Sequence, residues 1–272
     1  MTATHAAFDT LPPAITLPGA DHDVPVRIFA GGPGTAGLLV WAHGGSWHSG
    51  GTEDWAPALA HLARVASTTV VGVDYRLAPE HPHPAALLDL LTVLDWAGDR
   101  VGAEPLSVGG DSAGATIAAC AALVRRDRGR PLTAQLLAYP PIDPDRRAES
   151  YRSRPTAFPS RAALGSAWRA YRGQASVHPA AVGARALYST PREAADLAGV
   201  APAILAAGAL DPVVDDVRDH ARRLRAAGVP VELHEPAGTG HGAFLTDPSF
   251  RHRLGTAYAA THHAARPTRR NR

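Results

Sequence analysis

A serine flanked by glycines stands at residues 110–114, Gly110-Asp111-Ser112-Ala113-Gly114. Residues 105–108 before it are apolar or small, and residues 113–122 after it are rich in alanine. That order predicts a strand, a sharp turn and a helix, with Ser112 at the apex. A Cβ at either flank would crowd the strand or the helix, which glycine avoids. The hydroxyl would then stand clear of the sheet at a helix N-terminus, where backbone N–H groups can meet a developing oxyanion. The plainer reading is a turn glycine beside a helix-capping serine. With 26 glycines in 272 residues the five-residue pattern is weak by itself, so its context has to carry the argument.

A serine hydroxyl is a poor nucleophile at neutral pH. It needs a base, usually a histidine, and the histidine needs an acid that fixes its tautomer and stabilises its charge. In a strand–turn–helix arrangement the chain order is Ser, then Asp or Glu, then His. Downstream, a buried strand predicted at 203–207 runs into Gly208-Ala209-Leu210-Asp211-Pro212, and one at 231–234 runs into Ala237-Gly238-Thr239-Gly240-His241-Gly242. Both Asp211 and His241 follow a strand end, where α/β sheets place functional groups. Asp211 could also be a plain N-cap for the helix after it, and His241 one exposed loop histidine among 14. Asp215 and Asp216 compete with Asp211 but fall inside that helix. A fourth element follows the strand predicted at 38–42, which ends in His43-Gly44-Gly45-Ser46-Trp47. Paired glycines let a loop backbone come close enough to aim N–H donors at a tetrahedral oxyanion, although an ordinary Gly-Gly turn reads equally well.

The elements that must position these groups alternate. Strands are predicted at 24–29, 38–42, 69–73, 106–108, 135–139, 203–207 and 231–234, and helices at 53–66, 85–96, 113–126, 213–227 and 247–264. The alternation argues an α/β fold with a doubly wound, mostly parallel sheet. Residues 140–197 break it: no clear strand appears, and the one helical run lies near 161–171. That is too long for a plain loop in a compact domain and reads as a helical lid insertion over the Ser112 end of the sheet. Phe158, Trp168 and Tyr171 are candidate pocket walls within it, and Trp47 is a candidate beside the chemistry. Each of these aromatics could instead simply pack lid or loop onto the core. The domain expectation is a short N-terminal segment at 1–23, the main domain at 24–265 and a basic, disordered tail at 266–272.

His43-Gly44-Gly45, the stretch Val73-Asp74-Tyr75-Arg76-Leu77-Ala78-Pro79-Glu80, Gly110-Asp111-Ser112-Ala113-Gly114, Leu210-Asp211-Pro212 and Gly240-His241-Gly242 together resemble the hormone-sensitive-lipase-like carboxylesterases of the α/β-hydrolase fold. The stretch from Asp74 to Glu80 is the most family-specific of them, having no generic structural reason. The resemblance implies Ser112 as nucleophile, His241 as base and Asp211 as acid. It also implies oxyanion donors from the backbone of Gly44, Gly45, Ser46 and Ala113, with Gly45 and Ser46 leading among the loop donors. The expected activity is hydrolysis of small carboxylic esters. There are two departures. Ser46 stands where the family has a third glycine, which removes freedom to adopt positive φ. His43 also comes early, which implies a reduced N-terminal lid and a more open site. The loop with Trp47 resembles the aryl-formamidase branch of the fold too, which makes formamide or amide hydrolysis the rival reaction. A non-catalytic small-molecule binder is the rival from another class.

Bulk properties narrow the partners. Net charge is +2, all 27 basic residues are arginine, and these are scattered among 25 acids, which argues against nucleic-acid binding. The single cysteine, Cys120, excludes an internal disulfide and is expected to be a core thiol in the helix after Ser112. The pairs His81/His83 and His262/His263 have no carboxylate or cysteine at ligand spacing, so no metal is expected, and the expected chemistry requires no cofactor. Met1-Thr2-Ala3-Thr4-His5 opens no secretion signal and no apolar run is long enough to span a membrane, so a cytoplasmic protein is expected. The edge strands and last helix are the surfaces through which a homodimer would form.

Overall fold

The computed structural model describes residues 11–102, 104–173 and 186–264. The tail at 266–272 lies outside the described residues, as do 1–10 of the N-terminal segment and 174–185 of the region read as a lid. Runs rich in Val, Leu and Ala build the strands Ile15–Leu17 (β1), Val24–Phe29 (β2), Leu38–Ala42 (β3), Thr69–Val73 (β4), Leu106–Asp111 (β5), Gln135–Ala138 (β6), Ala203–Ala206 (β7) and Val231–His234 (β8). They join in one sheet of order β1-β2-β4-β3-β5-β6-β7-β8. β2 runs antiparallel to β1 and β4, and the strands from β4 to β8 run parallel. Strands covered on both faces must be apolar almost continuously, and β5, β6 and β7 are buried along their whole length.

Helices Thr52–Ala66 (α1), Ala85–Val101 (α2), Ala113–Asp127 (α3), Ser150–Ser153 (α4), Arg161–Arg172 (α5), Val214–Ala226 (α6), Ala243–Thr246 (α7) and Pro248–Ala264 (α8) cover the sheet on both sides. α1 packs against α8 and α2 against α3. α3 is buried from Ala113 to Arg125, because its alanines leave it narrow enough to lie against β5 and β6, and Cys120 sits within it as a core thiol. α6 is the opposite case. Only a stripe of Val214, Val217, Ala221 and Leu224, with Asp216 and His220, is buried, at the spacing of one helix face. None of the described helices is long and apolar enough to cross a membrane.

Most predicted elements coincide with the observed ones within a residue or two. β5 is the main correction, running through Asp111 where the expected strand stopped at 108. Gly110 reads as a turn residue in sequence, but it and Gly109 act here as close-packing residues of the strand. A Cβ on Gly109 would lie 2.8 Å from the Trp41 ring, and one on Gly110 would lie 2.5 Å from the backbone of Gly114. α2 also continues to Val101, past the expected stop at 96. β1 escaped prediction because three residues carry no periodicity.

The segment between β6 and β7 holds α4, α5 and a 3₁₀ turn at Pro191–Glu193, with no strand among its described residues. Its entry is tied to α6. Buried Asp216 accepts from the amides of Ile142 and Asp143, both at 2.9 Å, and from the Tyr151 hydroxyl at 2.8 Å. Asp215 accepts from the Ser150 amide at 2.9 Å, and the Ser150 hydroxyl donates to the Pro212 carbonyl at 2.6 Å. The two acids that competed with Asp211 in the sequence thus fasten this segment to the loop carrying Asp211.

Also in α6, His220 is buried with no hydrogen-bond partner on either ring nitrogen among the described residues. Burial, with the Arg223 charge nearby, pushes its pKa down to about 3. The unfolded chain takes up a proton at this position near the ordinary histidine pKa of about 6.5, while the folded chain does not. Its lowered folded pKa therefore removes stability as pH falls from there towards 3. Chemical denaturation of wild type and His220→Leu at pH 7 and pH 5 should show wild type losing about 2 kcal/mol more than the variant between the two. Equal losses would place His220 in a solvated setting.

Candidate active site

The elbow starts where β5 hands over to α3. Ser112 adopts φ 49° and ψ −120°, a conformation costly for a residue with a Cβ. It is held by its amide, which donates to the Ala138 carbonyl at 2.8 Å. The turn closes because its glycines are bare: a Cβ on Gly114 would sit 2.0 Å from the Ala42 carbonyl oxygen. The plain capping role is not what Ser112 performs, since its hydroxyl makes no cap bond to α3. Ser112 Oγ instead lies 2.8 Å from His241 Nε2.

His241 arrives on the loop after β8, and Asp211 on the loop after β7. His241 Nδ1 lies 3.0 and 2.9 Å from the two carboxylate oxygens of Asp211, which is fully buried. With Nδ1–H donating to Asp211, Nε2 is left free to accept the Ser112 proton. Asp211 Oδ1 also accepts from the Val213 amide at 2.9 Å at the start of α6. Val213, not Asp211, is the N-cap of α6, so Asp211 holds the turn before that helix as well as partnering the histidine. The His241 ring packs against two aromatic rings, Tyr139 at 4.6 Å and Phe158 at 5.8 Å between centroids. Tyr139 is buried beneath it, and its hydroxyl accepts from the Phe244 amide at 3.0 Å.

The loop after β3 faces the elbow. Gly45, Ser46 and Trp47 all take positive φ, at 107°, 56° and 64°. Ser46 thus adopts the left-handed backbone that its side chain disfavours. The amides of Gly45, Ser46 and Ala113 donate to no group among the described residues. Gly44 differs from the expectation: its amide is committed to Asp111 Oδ1 at 3.1 Å and is not free for an oxyanion. The stretch from Asp74 to Ala78 buttresses this loop. Asp74 accepts from the Thr52 amide and hydroxyl at the start of α1, Tyr75 donates to the His43 carbonyl at 2.7 Å, and the Ala78 amide donates to the Trp47 carbonyl at 2.9 Å.

The four candidate pocket aromatics divide. Trp47 stacks on Tyr171 at 4.7 Å and packs on Trp168 at 4.4 Å, and all three are buried. Their faces are occupied by one another, so they fasten α5 to the loop after β3 and do not face open space. Phe158 alone of the four is open to solvent, at 71% exposure.

Asp111 was not singled out in the sequence, yet it joins the two halves of the site. Its Oδ1 accepts from Trp41 Nε1 at 3.2 Å, Trp55 Nε1 at 2.8 Å and the Gly44 amide. Burial pushes its pKa up to about 7, against the pull of these three bonds and of nearby His241.

The sheet order and the elbow define an α/β hydrolase, and the profile of the α/β-hydrolase fold matches residues 39–245. Within that class the chain belongs to the hormone-sensitive-lipase-like carboxylesterase family. It is 34% identical over 242 residues to the carboxylic ester hydrolase LipN of Mycobacterium tuberculosis, a match covering 84% of this chain and 63% of LipN. To the carboxylesterase NlhH of the same organism it is 36% identical over 231 residues, covering 81% of this chain and 71% of NlhH. Among solved structures it is similar to esterase LipW from Mycobacterium marinum, with a TM-score of 0.78 and 34% identity over 93% of this chain and 81% of LipW. These relatives are esterases, which does not favour the formamide rival.

The Asp111 arrangement is testable. Its raised folded pKa means that the folded state keeps a proton which the unfolded chain has released, so stability falls as pH rises from about 4 to about 7, by about 1.4 kcal/mol per pH unit. Asp111→Asn keeps an acceptor and removes the ionisation. Its stability advantage over wild type should grow across that window in denaturant titrations, and a constant gap would refute a buried ionisation. Asp111→Ala strands three buried donors and should lose about 3 kcal/mol or more.

Proposed function

We propose that this chain hydrolyses small carboxylic esters through an acyl-enzyme formed on Ser112. The observation that carries the reading is the unbroken line of hydrogen bonds from Ser112 Oγ through the His241 ring to Asp211. As Ser112 Oγ attacks the ester carbonyl carbon, its proton passes to His241 Nε2, and Asp211 stabilises the imidazolium. Negative charge gathers on the former carbonyl oxygen, which receives the amides of Gly45, Ser46 and Ala113. The tetrahedral intermediate collapses with the C–O bond to the alcohol breaking, and His241 Nε2 returns the proton to the departing oxygen. Water then enters the same position. His241 removes its proton as the water oxygen bonds to the acyl carbon, the acyl–Ser112 bond breaks with His241 Nε2 returning that proton to Ser112 Oγ, and the carboxylic acid leaves. The scheme calls on no metal and no organic cofactor.

The described parts of residues 140–197, namely 140–173 and 186–197, act in this reading as a lid. Two contacts support it: the Trp47–Trp168–Tyr171 packing that seats α5 on the donor loop, and Phe158 against His241. Ester chemistry is preferred to amide chemistry because the named relatives are ester hydrolases.

Ser112→Ala is expected to lower kcat on p-nitrophenyl acetate by about 10⁴-fold or more while leaving the circular dichroism spectrum and melting temperature close to wild type. A folded Ser112→Ala protein that keeps wild-type turnover would remove Ser112 from the mechanism.

A further inference from the structure

The large apolar side chains exposed among the described residues form two groups. Leu11, Ile15 and Ile28 lie on the first two strands or just before them. Phe158, Leu210 and Leu245 belong to three separate segments that meet around His241. Phe158 is the most exposed of all, and its ring stands edge-on to the imidazole at 64°. The loop carrying it is fixed near Leu210, because Arg154 Nη2 donates to the Ala209 carbonyl at 2.9 Å. Leu210, 53% exposed, lies between that carbonyl and Asp211, and its own amide donates to Thr239 in the His241 loop. Apolar side chains gathered like this at the mouth of a site mark a binding surface.

The proposed reaction says which part of a substrate meets them. The acyl carbon must sit over Ser112, with its oxygen towards the amides of Gly45, Ser46 and Ala113. The departing oxygen must come within hydrogen-bond reach of His241 Nε2, which protonates it. The alcohol portion therefore leaves past the imidazole, where the Phe158 ring stands. We propose that Phe158 and Leu210 form an apolar shelf for the alcohol portion of the ester, selecting esters of aromatic or bulky apolar alcohols over those of small ones. This rests on the ester-hydrolase reading and adds to it the class of leaving group. Burying an aromatic ring against another gains both area and edge-to-face contact.

The test compares benzyl acetate with ethyl acetate, which share the acyl group and differ only in the alcohol. Wild type should show the higher kcat/KM on benzyl acetate. Phe158→Ala should lower the benzyl-to-ethyl ratio about tenfold, chiefly through KM, and Leu210→Ser should lower it less. Phe158→Tyr, which keeps a ring, should retain the ratio. The ratio of benzyl acetate to benzyl butyrate should not respond to Phe158→Ala, because the acyl group lies on the other side of Ser112. A benzyl-to-ethyl ratio that stays at the wild-type value in Phe158→Ala, whether or not both rates fall together, would overturn the shelf. A wild-type preference for ethyl acetate would do the same while leaving the hydrolase reading standing. Wild type that cleaves neither ester would overturn the hydrolase reading, and the shelf with it.

Discussion

Three N–H donors from three elements converge on one oxygen of Asp111: Trp41 in β3, Gly44 in the loop after it and Trp55 in α1. The carboxylate belongs to the residue immediately before Ser112, so Ser112 and the loop facing it are fixed to a common buried point. No cation faces that carboxylate among these contacts, and burial accordingly holds its pKa high. The same junction is also the tightest in the backbone. Gly114 lies so near the carbonyls of Ala42 and His43 that a methyl group would not fit. The distance between the Ser112 hydroxyl and the free amides of Gly45 and Ser46 is thus set twice, by a polar contact and by a steric one.

Acidic residues of α6 and its leading loop share the remaining work. Asp211 holds the turn before the helix and bonds to His241, Asp216 gathers the entry of the segment after β6, and Asp215 holds Ser150. Both contacts fit on Asp211 because the turn bond from Val213 occupies one oxygen direction and leaves others for the imidazole. The burial pattern of α6 explains the partition, since Asp216 shares its buried stripe with Val217 while Asp215 does not.

The interior strands were legible because burial on both faces writes them as short apolar runs, and the elbow was legible because glycine is required on both sides of it. Ser112, Asp211 and His241 could be aligned from their order after strands, and the structure brings them within hydrogen-bond distance. Asp111 and Tyr139 were not legible. Their partners lie far along the chain, with Trp41 70 residues from Asp111 and Phe244 105 residues from Tyr139. No local pattern announces such contacts. The positive φ of Ser46 and Trp47 was hidden for a related reason, since residue type argued against it and only the fixed surroundings impose it. The buried Trp47–Trp168–Tyr171 cluster shows the limit of reading aromatics near a site as pocket walls.

The three groups do not sit on equally firm ground. Ser112 extends from β5, a central strand buried along its length, whereas His241 hangs from β8, a four-residue edge strand that among the described residues pairs with β7 alone and is partly open to solvent. Edge elements with few buried contacts open at lower free energy than the centre of a sheet. Loosening β8 would carry the imidazole away from a serine whose own surroundings stay intact. Warming or mild denaturant would then part the imidazole from Ser112 while the central strands still stand, and cooling would rejoin them without refolding the core.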